Sequence, residues 1–190
     1  MGKHDSPVDH NDTESIDDNN AIYNQLRKEH TAPRALVVVA STRAAHGIYE
    51  DESGKTLVTW LESRGFIVSA PVIVADADIP QYFAQLFHNR NDLPQVVLTT
   101  GGTGLSTDDV TVDELEKYLD TQLPGIVMRF WQIGLRSTPL AVCSRAIAGT
   151  VAQTFVMALP GSVGGCHDGI TTLDPIIGSI VGMLEGTHVH

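Results

Sequence analysis

Residues 97–111, VLTTGGTGLSTDDVT, restrict the fold of this chain more than any other stretch, because an apolar strand there runs directly into a glycine loop and then a helix start. Val97 and Leu98 are strand formers. Gly101, Gly102 and Gly104 permit positive φ and close approach to a ligand, and Thr111 to Glu114 has the spacing of a capping box. The amides of such a turn converge on one concavity, and a following helix N-terminus adds positive potential, so the stretch is suited to hold a phosphate. A plain β–α connection is the alternative. Three glycines within four residues, followed by Asp108 and Asp109, favour the ligand loop.

The flanking sequence places this loop in an α/β fold. Residues 35–40 (ALVVVA) form a continuous apolar, β-branched run of the kind required by a strand buried on both faces. A loop through residue 54 follows, then a helix over 55–64 with Leu57, Trp60 and Leu61 on one face, stopped by Gly65. Residues 66–74 read as the second strand. A helix opens at Asp78 and Pro80 and carries Tyr82, Phe83, Leu86 and Phe87 on one face. The third strand covers 95–99 and the next helix 112–119. Beyond it, Pro124 starts a helix through Met128, Trp131 and Leu135, Pro139 starts a short strand (LAVCS) ending at Arg145, and residues 154–159 form a strand ending in Pro160, Gly161 and Ser162. A short helix follows, and Pro175 divides it from a last helix over 176–184. Strands alternating with helices predict a parallel sheet covered on both faces, with ligands at the carboxyl ends of its strands.

Composition narrows the partners. The chain has 190 residues, 42% of them apolar, enough for one core. A net charge of −11 without a lysine or arginine run argues against nucleic acid or an anionic membrane surface as partner. Cys143 and Cys166 make neither a disulfide framework nor zinc spacing, which suits a reducing compartment. No apolar signal segment or membrane-length run is present, and the expected location is the cytoplasm. Residues 1–20 are acidic and nearly free of large apolar side chains, so disorder is expected there, with a short helix over 21–30. His4 and His10 beside Asp5, Asp9 and Asp12 read as solvated tail residues. The expected organisation is an acidic extension over 1–30 and one domain over 31–190.

On such a sheet four pieces converge: the glycine loop, Asp76 after the second strand, Ser144 with Arg145, and the turn at 159–162. Carboxylates without histidine or thiol partners suit magnesium, which bridges phosphate oxygens in a phosphoryl or nucleotidyl transfer. The loop lacks both the lysine of a P-loop and the GxGxxG order of a dinucleotide loop, and Ser162 has no nucleophile elbow around it.

These residues resemble a known family. TTGGTG followed five positions on by an aspartate and a threonine, YEDESG after the first strand, SR at 144–145 and LPGS at 159–162 together look like the molybdenum-cofactor biosynthesis proteins of the MoaB/Mog type, over residues 34–186. The resemblance implies a three-layer α/β/α sandwich with a mostly parallel central sheet, commonly assembled as a trimer. It also implies adenylylation of molybdopterin by Mg-ATP with release of pyrophosphate, alongside other enzymes of the pathway. A non-catalytic molybdopterin carrier of the same family is the second reading. Phe130, Trp131 and Ile133 add to the expectation of a trimer, as apolar bulk beyond what one small core can bury.

By the resemblance, the loop Thr100, Gly101, Gly102, Thr103, Gly104 with Ser106 holds phosphate, and Asp109 and Asp76 manage magnesium and catalysis. Glu50, Asp51 and Ser53 border the site, Ser144 and Arg145 match the SR pair, and Pro160, Gly161 and Ser162 form a second ligand turn. The sequence departs from the family pattern at Thr107 and Asp108, where many relatives carry arginine or proline-threonine, and at Val163, which replaces a proline. Simpler roles compete: Asp76 as a turn residue beside a capping Asp78, Asp109 as an Asx-turn residue, Arg145 as a surface ion-pair partner, the cysteines as small buried residues.

Overall fold

The computed structural model describes residues 32–45 and 51–186. The acidic tail, the helix expected over 21–30, Glu50 and the terminal histidines lie outside the described residues.

Seven strands form one mixed sheet: β1 (Arg34–Ala40), β2 (Ile67–Val68), β3 (Val72–Val74), β4 (Val96–Thr100), β5 (Thr121–Gln122), β6 (Ile147–Val151) and β7 (Thr154–Leu159). The order is β2-β1-β4-β7-β6-β5, with β3 also paired to β1, and β6 alone runs against the rest. The helices are α1 (Thr42–Ala45), α2 (Glu52–Ser63), α3 (Ile79–Leu86), α4 (Thr111–Glu116), α5 (Pro124–Gly134), α6 (Val163–Leu173) and α7 (Ile177–Leu184).

Alternation along the central strands divides the core in two. Val96, Leu98, Phe155, Met157 and Leu159 face Leu57, Trp60 and Leu61 of α2, Phe130 of α5, Leu173 of α6 and Ile177 of α7. Val38, Val97, Val156 and Ala158 face Ile79 and Phe83 of α3 and Val112 and Leu115 of α4. Helices therefore cover both faces, as the buried β-branched runs require. Each fully buried side chain of this size contributes about 2 kcal/mol by its removal from water.

Several expectations need correction. Residues 66–74 are two short strands, because Pro71 has no N–H for the ladder and residues 69–71 leave it. The LAVCS segment is not a strand: Pro139–Cys143 is a 3-10 turn, opened by Thr138 Oγ1 accepting the Leu140 N–H at 3.3 Å. The strand expected there comes later, as β6, and forms with β7 a hairpin whose turn is Ala152 and Gln153, Ala152 at φ 50°. The sheet is consequently mixed, and apart from β6 it is parallel, in line with the mostly parallel central sheet expected. On α5 the buried residues are Val127, Phe130, Ile133 and Gly134, one position off Met128 and Leu135, which are exposed. Phe130 and Ile133 thus belong to the chain's own core and are not surplus apolar bulk. The capping box at Thr111 does not form. The helix begins at Thr111 itself, after Val110, without a side-chain cap. Helix α2 begins earlier than expected, at Glu52, because Asp51 caps it.

Candidate ligand site at the carboxyl edge of the sheet

β4 is buried along its whole length and delivers the chain into the glycine loop. Gly101 and Gly102 have φ of 97° and 64°, where side chains are strained, and space forbids them too. A Cβ on Gly101 would lie 2.1 Å from the Ala40 carbonyl oxygen, and one on Gly102 2.1 Å from Thr111 Oγ1. The Thr111 hydroxyl, turned inward against Gly102 rather than capping its helix, is buried and without a hydrogen-bond partner among the described residues.

The turn after β7 abuts this loop. Gly101 N–H donates to the Leu159 carbonyl at 3.0 Å, and a Cβ on Gly161 would lie 3.2 Å from Gly101 Cα. Ser162 caps α6 by accepting the Gly165 N–H at 3.1 Å, so this second turn also ends on a helix N-terminus with Val163 and Gly164 at its mouth.

Behind the two turns a short polar chain ties three loops together. Asp51, buried, caps α2 through the Gly54 N–H at 2.7 Å and accepts the Ser53 hydroxyl at 2.5 Å. Ser53 Oγ lies 3.3 Å from Thr100 Oγ1, which donates to the Pro160 carbonyl at 2.8 Å. Cys166 closes the chain, its sulfur 3.4 Å from Thr100 Oγ1. Burial pushes its thiol from the ordinary value near 9 up to about 11, against the lowering hydrogen bond from Thr100. Asp51 and Ser53 thus face inward and position the loops.

Arg145 is also directed inward. Its Nε donates to the Gly104 carbonyl at 2.8 Å, Nη1 to both Asp113 carboxylate oxygens at 2.8 Å, and Nη2 to the Asp109 carbonyl. Its backbone N–H donates to the Thr103 carbonyl, and Ser144 Oγ sits 3.2 Å from the buried Thr103 Oγ1. Ser144 and Arg145 precede β6 rather than follow a parallel strand. Because β6 is antiparallel, its beginning lies at the same edge as the ends of β4 and β7, and the pair still reaches the loop.

Of the two candidate metal carboxylates, Asp109 Oδ2 accepts the Ser106 N–H at 3.0 Å and Asp76 Oδ2 accepts the Thr42 N–H and hydroxyl at 2.9 and 2.7 Å. Each keeps its second oxygen free of protein donors among the described residues. Among the described residues, no group of three or more histidine, cysteine or acidic side chains is assembled to hold a metal.

Beside the second turn a cleft of about 420 Å³ opens between α5, the 3-10 turn at Pro139–Cys143 and α6. Phe130, Leu140, Ala141 and Pro160 give it apolar wall, Ser144 and Ser162 line it with hydroxyls, and His167 and Asp168 of α6 complete it. Phe130, Leu140, His167 and Asp168 had no place in the reading of the sequence as a site. The available signal was helical spacing: Asp168 lies four residues beyond Gly164, one turn along the same face.

Residues 36–178 match the family described as "Probable molybdopterin binding domain". The chain is similar to the molybdenum cofactor biosynthesis bifunctional protein of Chlorobaculum tepidum, with 32% identity over 154 residues, 81% of this chain, and spans about half (49%) of that relative's length. It is 32% identical over 133 residues to the molybdopterin adenylyltransferase of Escherichia coli K12, covering 67% of each chain. The solved structure of the molybdopterin biosynthesis Mog protein from Mycobacterium ulcerans matches with a TM-score of 0.73 and 34% identity, covering 82% of this chain and 99% of that one.

Proposed function

Because this chain belongs to the molybdopterin-binding family of molybdenum-cofactor biosynthesis proteins, we propose that it adenylylates molybdopterin. The terminal phosphate of molybdopterin attacks the α-phosphate of ATP, the bond to the β-phosphate breaks, and pyrophosphate leaves. One observation carries this reading: two glycine turns, each leading toward a helix, abut at Gly101 and Gly161, so two phosphate-binding surfaces share one floor. Two phosphate-bearing substrates meeting there require that arrangement, and a single anion does not.

In this reading Thr100, Gly101, Gly102, Thr103, Gly104 and Ser106 hold phosphate through the loop, and Pro160, Gly161 and Ser162 do so through the second turn. Ser144 faces the cleft that takes the pterin. Arg145, Asp51 and Ser53 act as positioning residues, since their polar atoms are engaged by the loops. Asp76 and Asp109, each with one carboxylate oxygen free of protein donors among the described residues, would hold magnesium, which would neutralise charge on the phosphates. Catalysis is positioning and electrostatic stabilisation, without a covalent enzyme intermediate. The protein works in the cytoplasm as a trimer beside other enzymes of the pathway, with the exposed Met128, Leu135 and Val142 as the apolar surface for self-association. A monomeric mass in light scattering would remove the trimer from this reading.

Incubating purified protein with molybdopterin and Mg-ATP should give adenylylated pterin and an equivalent of pyrophosphate. The carrier reading is favoured by the exposed carboxylate of Asp108 beside the phosphate loop. Calorimetry decides between the two: pterin binding with no heat from Mg-ATP and no product identifies a carrier.

A further inference from the structure

The cleft beside the second turn contains a carboxylate that neither the loop nor the fold uses. Asp168 is the single acidic residue of its lining. Asp51, Asp76, Asp109, Asp113 and Asp174 all accept hydrogen bonds from neighbouring groups. The Asp168 carboxylate has no hydrogen-bond or ion-pair donor among the described residues. It lies against α5 where a side chain is missing: a Cβ on Gly134 would stand 3.2 Å from Asp168 Oδ2. Burial pushes its carboxyl above the usual carboxylate range, and the neighbouring His167 opposes that shift. An unpaired, partly desolvated carboxylate is costly unless something donates to it. The cleft also has no lysine or arginine in its lining, so it is poorly suited to a polyphosphate, for which the two glycine turns next to it are the better place.

We propose that Asp168 is the specificity-determining residue of this cleft, its carboxylate accepting the paired N–H donors on the 2-aminopyrimidinone edge of a pterin ring. The apolar wall takes the flat faces of the ring, and Ser144, Ser162 and the turn lie on the side from which a phosphate-bearing tail reaches the glycine loops. A carboxylate facing two coplanar N–H groups is the neutral-ligand counterpart of the bidentate arginine fork, and it rejects a ring that presents a carbonyl there. The identity of the ring rests on the function proposed above; the role of Asp168 rests on the cleft.

Pterin and lumazine test it, since they differ in a 2-amino against a 2-oxo group and both are fluorescent. Titrated into the full-length protein, pterin should bind tighter than lumazine by about tenfold or more. Asp168→Asn should bring the two within about twofold of each other, and Asp168→Glu should restore part of the gap. Calorimetry with pyrophosphate, unchanged in both variants, serves as the check that the neighbouring turns are intact. The proposal is overturned if wild-type protein binds neither ring or does not prefer pterin, if Asp168→Asn keeps the preference, or if Mg-ATP displaces bound pterin competitively, which would make adenine the occupant. Adenylylation of molybdopterin is scored separately: ring preference lost in Asp168→Asn with no adenylylation by the wild type leaves this inference standing and removes the proposed function.

Discussion

Two clefts of nearly equal volume open at opposite edges of the sheet, about 420 Å³ at the carboxyl edge and about 410 Å³ at the amino edge, and they differ in how their polar groups are used. At the amino edge Arg34 donates to the Asp92 carboxylate and to the Asp92 and Leu93 carbonyls. Arg90 donates to Asp120 and to the Tyr118 carbonyl, and Gln95 accepts the Arg34 N–H. Arg90 holds the Asp120 carboxyl below its ordinary range. At the carboxyl edge burial pushes Asp168 in the opposite direction, and the two glycine turns pack against each other at Gly101 and Gly161. Volume therefore does not tell the two clefts apart. The use made of their polar groups does.

The comparison breaks first at the glycine loop. Gly102→Val places a branched side chain at positive φ against Thr111 and should cost about 3 kcal/mol or more in thermal unfolding and abolish ATP binding. The control is Gly164→Ala, whose added Cβ meets open space and should leave the midpoint unchanged or slightly raised. A Gly102→Val protein that keeps both midpoint and nucleotide affinity would show that the loop conformation is not required.

Next in size is the pair of adjacent carboxylates. Asp109→Asn retains an acceptor for the Ser106 N–H but removes charge, and the adenylylation rate should fall by about two decades, roughly 3 kcal/mol in the transition state. Asp108→Asn should stay within about threefold, or bind ATP slightly tighter, by removing repulsion. Rates for both variants at one magnesium and one salt concentration decide this, and the reverse pattern would shift the assignment by one residue.

Arg145→Lys should lower stability by about 1–2 kcal/mol, because an ammonium cannot reproduce the fork that reaches Gly104, Asp109 and Asp113 together. The expected signature is a loss of nucleotide affinity together with the midpoint. A loss of affinity at unchanged stability would instead place the guanidinium on the ligand.

At the amino edge Arg34→Ala should change stability by no more than about 0.5 kcal/mol, its ion pair with Asp92 being exposed, and should leave ligand affinity alone. The smallest effect separates the carboxylates of the two edges by pH. Because the folded protein holds the Asp168 proton more tightly than the unfolded chain, wild-type stability is full below the ordinary carboxylate range and declines as pH rises through it. Asp168→Asn should therefore raise the midpoint by about 1–2 °C near neutral pH and not at low pH. Thermal scans at two pH values would reveal an absent or inverted difference.

Much of this architecture follows from local pattern. The continuous apolar runs of β1, β4 and β7 demand burial on both faces, and the glycines at 101, 102 and 104 demand a close-approach turn after β4, so the parallel centre of the sheet and the edge that carries the glycine loop were legible in the residues alone. The direction of β6 was not, since a five-residue IAGTV run carries no mark of parallel or antiparallel pairing and its hairpin turns on Ala152 and Gln153 rather than on Asn-Gly. The inward aim of Thr111 and Arg145 was equally hidden. Which of several polar neighbours a side chain meets depends on Gly102 leaving room for the one and on β6 reversing to present the other, and those are distances between segments far apart in the chain. Asp168 shows the same limit: the sequence puts a carboxylate one helical turn past a glycine turn, and only the packing of α6 on α5 at Gly134 leaves it in a cleft without a donor among the described residues.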